Sequence, residues 1–218
     1  MDALIISGGS LEQEFALSYI RRNPCELTVA VDSGMEFFYR QKMTPDYIVG
    51  DFDSVEAKIL QSFRNRKGEK RPFILQFQPE KDETDTELAI RTAIKQGAEN
   101  IHLLGATGGR VDHLLGNIHL LGAAMRQGAQ CRMVDPKNRV RMICQDIRIK
   151  QEEQYGNYVS LFPFTPQVKG LTLRGFKYPL SNYTLECFHS LGVSNEIVDA
   201  EAEISFQEGI LLVAESKD

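Results

Sequence analysis

Five short apolar runs recur in the first 104 residues, and each breaks into a loop built from glycine, aspartate or other polar residues. Residues 3–6 lead into Ser7-Gly8-Gly9, and residues 27–31 lead into Asp32-Ser33-Gly34. Residues 47–49 lead into Gly50-Asp51-Phe52-Asp53-Ser54, and residues 73–77 into a loop containing Lys81 and Asp82. Residues 101–104 lead into Gly105-Ala106-Thr107-Gly108-Gly109. Helix-length segments such as 84–96 and 112–127 lie between the runs. A strand apolar on both faces must be covered on both faces, and intervening helices provide the cover, so the pattern predicts a parallel sheet in an α/β unit. The segment from Thr84 carries a start signal: Thr84 as N-cap and Glu87 three residues on, with Leu88, Ala89, Thr92 and Ala93 available for the inward face.

The texture changes after Asp135-Pro136-Lys137-Asn138. Residues 139–144, 147–150, 158–164, 170–173, 202–206 and 210–214 are β-rich or alternating, Gly and Pro punctuate them, and no long helical pattern appears. The expected organisation is a parallel-sheet α/β domain over residues 1–136 followed by an antiparallel β domain over 137–218.

Composition removes several functions. Lys plus Arg is 25 against 30 Asp plus Glu, a net charge of -5, so the basic excess of a dedicated nucleic-acid binder is missing. A polyphosphate ligand would need a metal ion to approach such a chain. The four cysteines, Cys25, Cys131, Cys144 and Cys187, form no CxxC pair, which argues against a zinc ribbon and fits reduced thiols in a cytosol. Residues 3–6 are too short for a signal-peptide core, and no stretch approaches the ~20 apolar residues of a membrane span. A soluble cytoplasmic protein is expected.

In open α/β sheets, ligands bind outside the carboxyl ends of the strands. Asp32, Asp51, Asp53, Asp82, Asp85, Arg110 and Asp112 are therefore expected to look into one crevice. Asp51 and Asp53, two residues apart after a strand, can reach one Mg²⁺, or can form an Asx turn with Ser54 capping the next helix. Lys81-Asp82-Glu83-Thr84-Asp85 places acids and a cation before a helix N-terminus, where they serve a metal and phosphate or serve capping and the helix dipole. Gly108 and Gly109 let a backbone approach phosphate, Arg110 offers a planar donor fork, and Asp112 can orient Arg110 or bind metal. The same residues also suit a tight strand–helix turn with an Arg–Asp pair, and His113 alone suits a helix start. The loop is neither a Walker A motif nor GxGxxG. Taken together, the acids, cations and glycine loops point to a metal–polyphosphate site and to phosphoryl-type transfer. A Mg²⁺-dependent phosphohydrolase or nucleotidyltransferase, and a non-catalytic nucleotide-binding or vitamin-binding regulator, remain rivals at this point.

The segments Gly50-Asp51-Phe52-Asp53-Ser54, Lys81-Asp82-Glu83-Thr84-Asp85 and Gly108-Gly109-Arg110-Val111-Asp112-His113 resemble, in order, three signatures of the thiamine pyrophosphokinase family. Asp32-Ser33-Gly34 resembles its earlier Asp–x–Gly loop. Residues 173–180 and Gly192-Val193-Ser194-Asn195 resemble its thiamine-side motifs. The resemblance implies an α/β catalytic domain and a C-terminal β-sandwich. It implies pyrophosphoryl transfer from ATP to thiamine, giving thiamine diphosphate and AMP. It also implies a homodimer, with thiamine between one subunit's catalytic domain and the other's β domain. By the same resemblance Asp51, Asp53 and Asp85 are Mg²⁺ ligands with Asp82 nearby, and Arg110 and Asp112 act in phosphate binding and catalysis. Asp32, Gly34, Lys81, Thr84, Gly108, Gly109 and His113 fall on the nucleotide side. Tyr178, Ser194 and Asn195 fall on the thiamine side. Some family members carry Trp where this chain has Tyr178, and this chain has no Trp. Tyr still offers an aromatic face to a cationic ring.

Overall fold

The computed structural model describes residues 1–218 except Ser54, Glu69, Lys70, Pro79 and Lys81. Contacts divide the chain into two units, Met1–Pro136 and Lys137–Asp218.

In the first unit, strands and helices alternate: β1 (Asp2–Ile6), α1 (Gln13–Arg22), β2 (Leu27–Val31), α2 (Met35–Arg40), β3 (Tyr47–Gly50), α3 (Ala57–Arg64), β4 (Phe73–Gln76), α4 (Asp85–Lys95), β5 (Asn100–Leu104), α5 (Val111–Arg126) and β6 (Gln130–Val134). A 3-10 turn, Asp32–Gly34, joins β2 to α2. The strand order is β4-β3-β2-β1-β5-β6, with every pairing parallel. Ala3 through Ile6, Val29 through Val31 and Ile101 through Leu104 are buried without a break, because helices cover both faces of the sheet. Each fully buried Ile or Leu contributes about 2 kcal/mol, so these runs anchor the polar loops that follow them. The chain winds from β1 out to β4 and then returns to β5 on the other side of β1. That reversal is the place where the loops after two adjacent strands part and leave a crevice.

Helix α4 begins as its sequence suggests. Thr84 caps it, with Oγ1 accepting from the Glu87 N–H at 3.2 Å. Its buried face is Thr86, Ala89, Ile90 and Ala93, while Leu88 and Thr92 are half-buried. Loss of this cap in Thr84→Ala should lower stability by about 1 kcal/mol, read as a lower melting temperature. An unchanged melt would show that water replaces the hydroxyl at no cost.

The second unit contains β7 (Asn138–Ile143), β8 (Ile147–Lys150), β9 (Tyr158–Pro163), β10 (Gln167–Arg174), β11 (Leu180–Glu186), β12 (Glu201–Ser205) and β13 (Leu211–Ser216). Strand β13 pairs antiparallel with both β7 and β9. A second antiparallel sheet runs β11-β10-β12-β8. Val159, Leu161, Leu211 and Val213 from one sheet meet Val168, Leu171, Leu173 and Ile204 from the other in one core, which makes a β-sandwich. The fold is thus an α/β unit followed by an antiparallel β unit.

One polar group is wholly inside the second unit. Glu215 on β13 is fully buried, and its carboxylate accepts from Arg139 Nε at 3.0 Å, Arg139 Nη2 at 2.6 Å and the Tyr155 N–H at 3.0 Å. Arg141 Nη2 lies 3.5 Å away. Among the described residues, no helix is long and apolar enough to cross a membrane.

Candidate active site

The crevice lies at the carboxyl ends of the strands of the first unit and measures about 770 Å³. Ser7, Gly8 and Gly9 line it after β1, and Asp32 and Ser33 after β2. Asp51 follows β3, and Glu83, Thr84, Asp85 and Thr86 lead into and begin α4. Gly105, Ala106, Gly108, Gly109, Arg110, His113 and Asn117 complete it from the β5–α5 side. The loops after β1 and β5 are tied together by Gly9 N–H to Gly105 O at 2.8 Å, and a buried bond of 2.9 Å links Ser7 Oγ to Thr86 Oγ1.

Ligand atoms of Asp32, Asp51 and Asp85 all lie within 4.8 Å of one another, although they come from the 3-10 turn after β2, the loop after β3 and the first turn of α4. Burial lifts the Asp32 carboxyl to a pKa of about 7, reinforced by the negative charge of Asp85, a shared hydrogen bond with Asp85 and the charge of Asp51. The Phe52 backbone N–H opposes the rise. Asp32 Oδ1 is buried and has no hydrogen-bond partner. A Cβ on Gly50 would collide with that same oxygen, so glycine is what lets the carboxylate come this close to the β3 end. Three converging carboxylates and an orphaned oxygen form a donor set of hard oxygens, which fits Mg²⁺.

The raised value has a consequence for stability. A free carboxyl titrates at 3.8. Between that value and about 7 the folded chain holds a proton that the unfolded chain has released, so ionising Asp32 costs stability as pH rises through this window. At pH 8 without divalent cation, Asp32→Asn should therefore melt higher than the unaltered chain, by about 1 kcal/mol. A lower melt for the variant in chelator would contradict the cost of ionising Asp32.

Asp53 stands apart from the cluster. It is exposed, and its N–H donates to Asp51 Oδ1 at 3.0 Å, closing the Asx turn that the spacing allowed. The structure thus gathers Asp32 with Asp51 and Asp85, where the sequence pattern pointed to Asp53. Asp82 is exposed and does not line the crevice, and Gly34 is buried against the Ile6 carbonyl behind it. Lys81 lies outside the described residues. Gly108 and Gly109 both adopt left-handed backbone, at φ of 78° and 84°, and bring the chain to Arg110, the N-cap residue of α5.

Arg110 is exposed and gripped by Asp112, with Nε to Oδ1 at 3.0 Å and Nη2 to Oδ2 at 2.5 Å. The paired guanidinium holds Asp112 down at about 2, with the His113 N–H adding to the effect. Asp112 is therefore an anion that fixes Arg110. His113 sits on the first turn of α5 at the crevice wall. Ser7 to Ser10, Thr86 and Asn117 were not among the residues singled out from sequence. Ser7-Gly8-Gly9 carried the same strand-to-glycine signal as the other loops. Asn117 lies one turn beyond His113 on α5, and its Nδ2 donates to Ala106 O at 2.9 Å.

In the second unit, Tyr178 is exposed at 60%, with Lys177 Nζ 5.7 Å from its ring centroid. Asn195 is buried, accepts from the Tyr178 N–H at 3.0 Å and donates to Tyr178 O at 2.8 Å. It clamps the Tyr178 backbone and leaves the ring free. Ser194 is exposed in left-handed backbone, with its N–H bonded to Ser160 Oγ at 3.0 Å.

Residues 21–133 match the family model of the thiamin pyrophosphokinase catalytic domain, and residues 144–211 that of the thiamin pyrophosphokinase vitamin B1 binding domain. Thiamine pyrophosphokinase of Bacillus subtilis (strain 168) is 34% identical over 192 residues, covering 88% of each chain. The crystal structure of thiamine pyrophosphokinase from Bacillus subtilis superposes with a TM-score of 0.87 at 31% identity and covers 100% of both chains. That of thiamin pyrophosphokinase from Geobacillus thermodenitrificans gives 0.84 at 31%, covering 100% of this chain and 98% of the other. With one match spanning the carboxylate crevice and the other the Tyr178 side, the chain belongs to the thiamine pyrophosphokinase family.

Proposed function

We propose that this chain transfers the pyrophosphoryl group of ATP to the primary hydroxyl of thiamine, giving thiamine diphosphate and AMP. The observation that carries the reading is the convergence of Asp32, Asp51 and Asp85 beside a glycine loop that ends in Arg110. ATP occupies the crevice. The hydroxyl oxygen bonds to the β-phosphorus, the bond from the β-phosphorus to the bridging oxygen of the α-phosphate breaks, and AMP leaves with that oxygen. The hydroxyl proton passes to solvent.

Asp51 and Asp85 would hold Mg²⁺, with Asp32 completing the cluster. When bound, the ion neutralises phosphate charge and polarises the oxygens around the transferring group. Arg110, kept in place by Asp112, binds phosphate oxygens through its donor fork, and Gly108 and Gly109 allow the backbone close to them. Asp112 is too weak a base at about 2 to take the proton, and a loose transition state asks little of one. Tyr178 gives an aromatic face to the cationic acceptor, Asn195 fixes the Tyr178 backbone, and Ser194, exposed and next to Asn195 in the chain, serves the same side. We further propose that the protein is a cytoplasmic homodimer in which the β unit of one copy serves the crevice of the other.

Replacing Arg110 by Ala should lower turnover by about a hundredfold with little change in folding, since the side chain is exposed. Steady-state rates beside a thermal melt check this, and a rate within about twofold of normal would remove Arg110 from the reaction. For the activity itself, the protein is incubated with ATP, MgCl₂ and thiamine while AMP is followed by chromatography. AMP should form only when all three are present. AMP or phosphate formed equally without thiamine would mean a phosphohydrolase or nucleotidyltransferase instead.

A further inference from the structure

Between Asp51 and Asp53 sits a residue that bears none of the site's charge and yet has an unfavourable backbone. Phe52 has φ of +69°, in the left-handed region that bulky L-residues avoid, while its side chain is only 6% exposed. Asp32, which accepts from the Phe52 N–H, is also left-handed, at +44°. Such conformations persist only where the surroundings over-determine them.

The turn built on Phe52 has a specific output. Its carbonyl accepts from the Val55 N–H at 3.2 Å, and the Asp53 N–H reaches back to Asp51 Oδ1 at 3.0 Å. Its own N–H favours the charged form of Asp32. Its ring packs so close to Gly50 that a Cβ there would lie 3.2 Å from Phe52 Cε1, on the same α-carbon that Asp32 approaches. Three carboxylates within 4.8 Å repel one another, and a slack loop would let Asp51 swing away. We infer that Phe52 is a positioning residue whose buried ring holds the left-handed turn that keeps Asp51 beside Asp32 and Asp85, and so sets the cluster's affinity for a divalent cation. The cost of gathering the charges is then met on folding and not on binding, which is preorganisation. The inference rests on the proposed reading of the cluster as a cation site.

The test uses the full chain and Mn²⁺ alone, with binding followed by electron paramagnetic resonance and without nucleotide. Phe52→Leu keeps an apolar side chain with no branch at Cβ, which tolerates the turn about as well as Phe. Phe52→Val is apolar but β-branched and resists it. The Mn²⁺ dissociation constant should stay within about threefold of the unaltered chain in Leu and rise about tenfold above Leu in Val. Phe52→Gly, free to adopt the turn but without an anchor, should also weaken binding by about tenfold. Melting curves record the packing loss separately. Equal Mn²⁺ affinity in Val and Leu, or unchanged affinity in Gly, overturns the inference whatever the melts show. Absence in the unaltered chain of Mn²⁺ binding that Asp51→Ala abolishes is a different failure, because it removes the cation site and this inference with it.

Discussion

Asp51→Ala should leave a folded protein whose turnover falls by about three orders of magnitude, a loss equivalent to about 4 kcal/mol of transition-state stabilisation. Asp51 follows a buried strand, its own side chain is half-exposed, and its carboxylate accepts one hydrogen bond, from the Asp53 N–H. Removing it loses that bond but takes one of three mutually repelling carboxylates from the cluster, so the metal-free fold should keep about its stability. On the proposed mechanism the loss is large because phosphoryl-type transfer is catalysed by positioning and charge neutralisation, and two remaining carboxylates would hold a cation weakly. Steady-state kinetics with circular dichroism make the measurement, and near-normal turnover at ordinary MgCl₂ would contradict the role. Asp53→Ala is the informative companion. Asp53 stands outside the cluster, and a much smaller loss there identifies Asp32, Asp51 and Asp85 as the working set, whereas an equal loss means that the loop turns Asp53 inward when the ion binds.

The second large effect concerns stability and lies in the β unit. Glu215→Ala should destabilise the protein by about 4 kcal/mol, because it leaves the Arg139 and Arg141 guanidiniums, only 19% and 21% exposed, without their carboxylate. It also removes the carboxylate oxygen that accepts from the Tyr155 N–H. The figure is the cost of stranding charge and not the worth of the ion pair. It is a large share of the roughly 5–15 kcal/mol that holds a typical domain together. Urea unfolding followed by far-ultraviolet circular dichroism checks it, with the transition attributable to the β unit expected to move first. A shift below about 1 kcal/mol would show that water enters and solvates both arginines.

Much of this was legible before any coordinates. The strand-to-loop rhythm of the first half marked the parallel sheet, since uninterrupted apolar runs such as 3–6 and 101–104 suit a strand covered on both sides. The Asp135-Pro136 turn marked the change of texture. Two strands escaped notice for a physical reason. In β11 only Leu185 is buried, so Ser181 to Thr184 show no alternation. In β6 the polar Gln130 and Arg132 interrupt an otherwise apolar strand. At the site, residue type and position after strands brought Asp51, Asp85 and Arg110 into one crevice, and the same logic extended to Ser7-Gly8-Gly9 would have found the opposite wall. Sequence spacing could not say which carboxylates converge. Asp51 and Asp53 are neighbours in the chain, but the left-handed turn at Phe52 separates them, whereas Asp32 arrives from another strand because Gly50 leaves room for it.

The most direct test of the account follows a label. ATP carrying ³²P at the γ-position is mixed with the protein, thiamine and MgCl₂, and the products are separated. The account predicts that the label appears in thiamine diphosphate, in equal amount to unlabelled AMP. Label in thiamine monophosphate with ADP, or in free pyrophosphate at the same rate without thiamine, would contradict it.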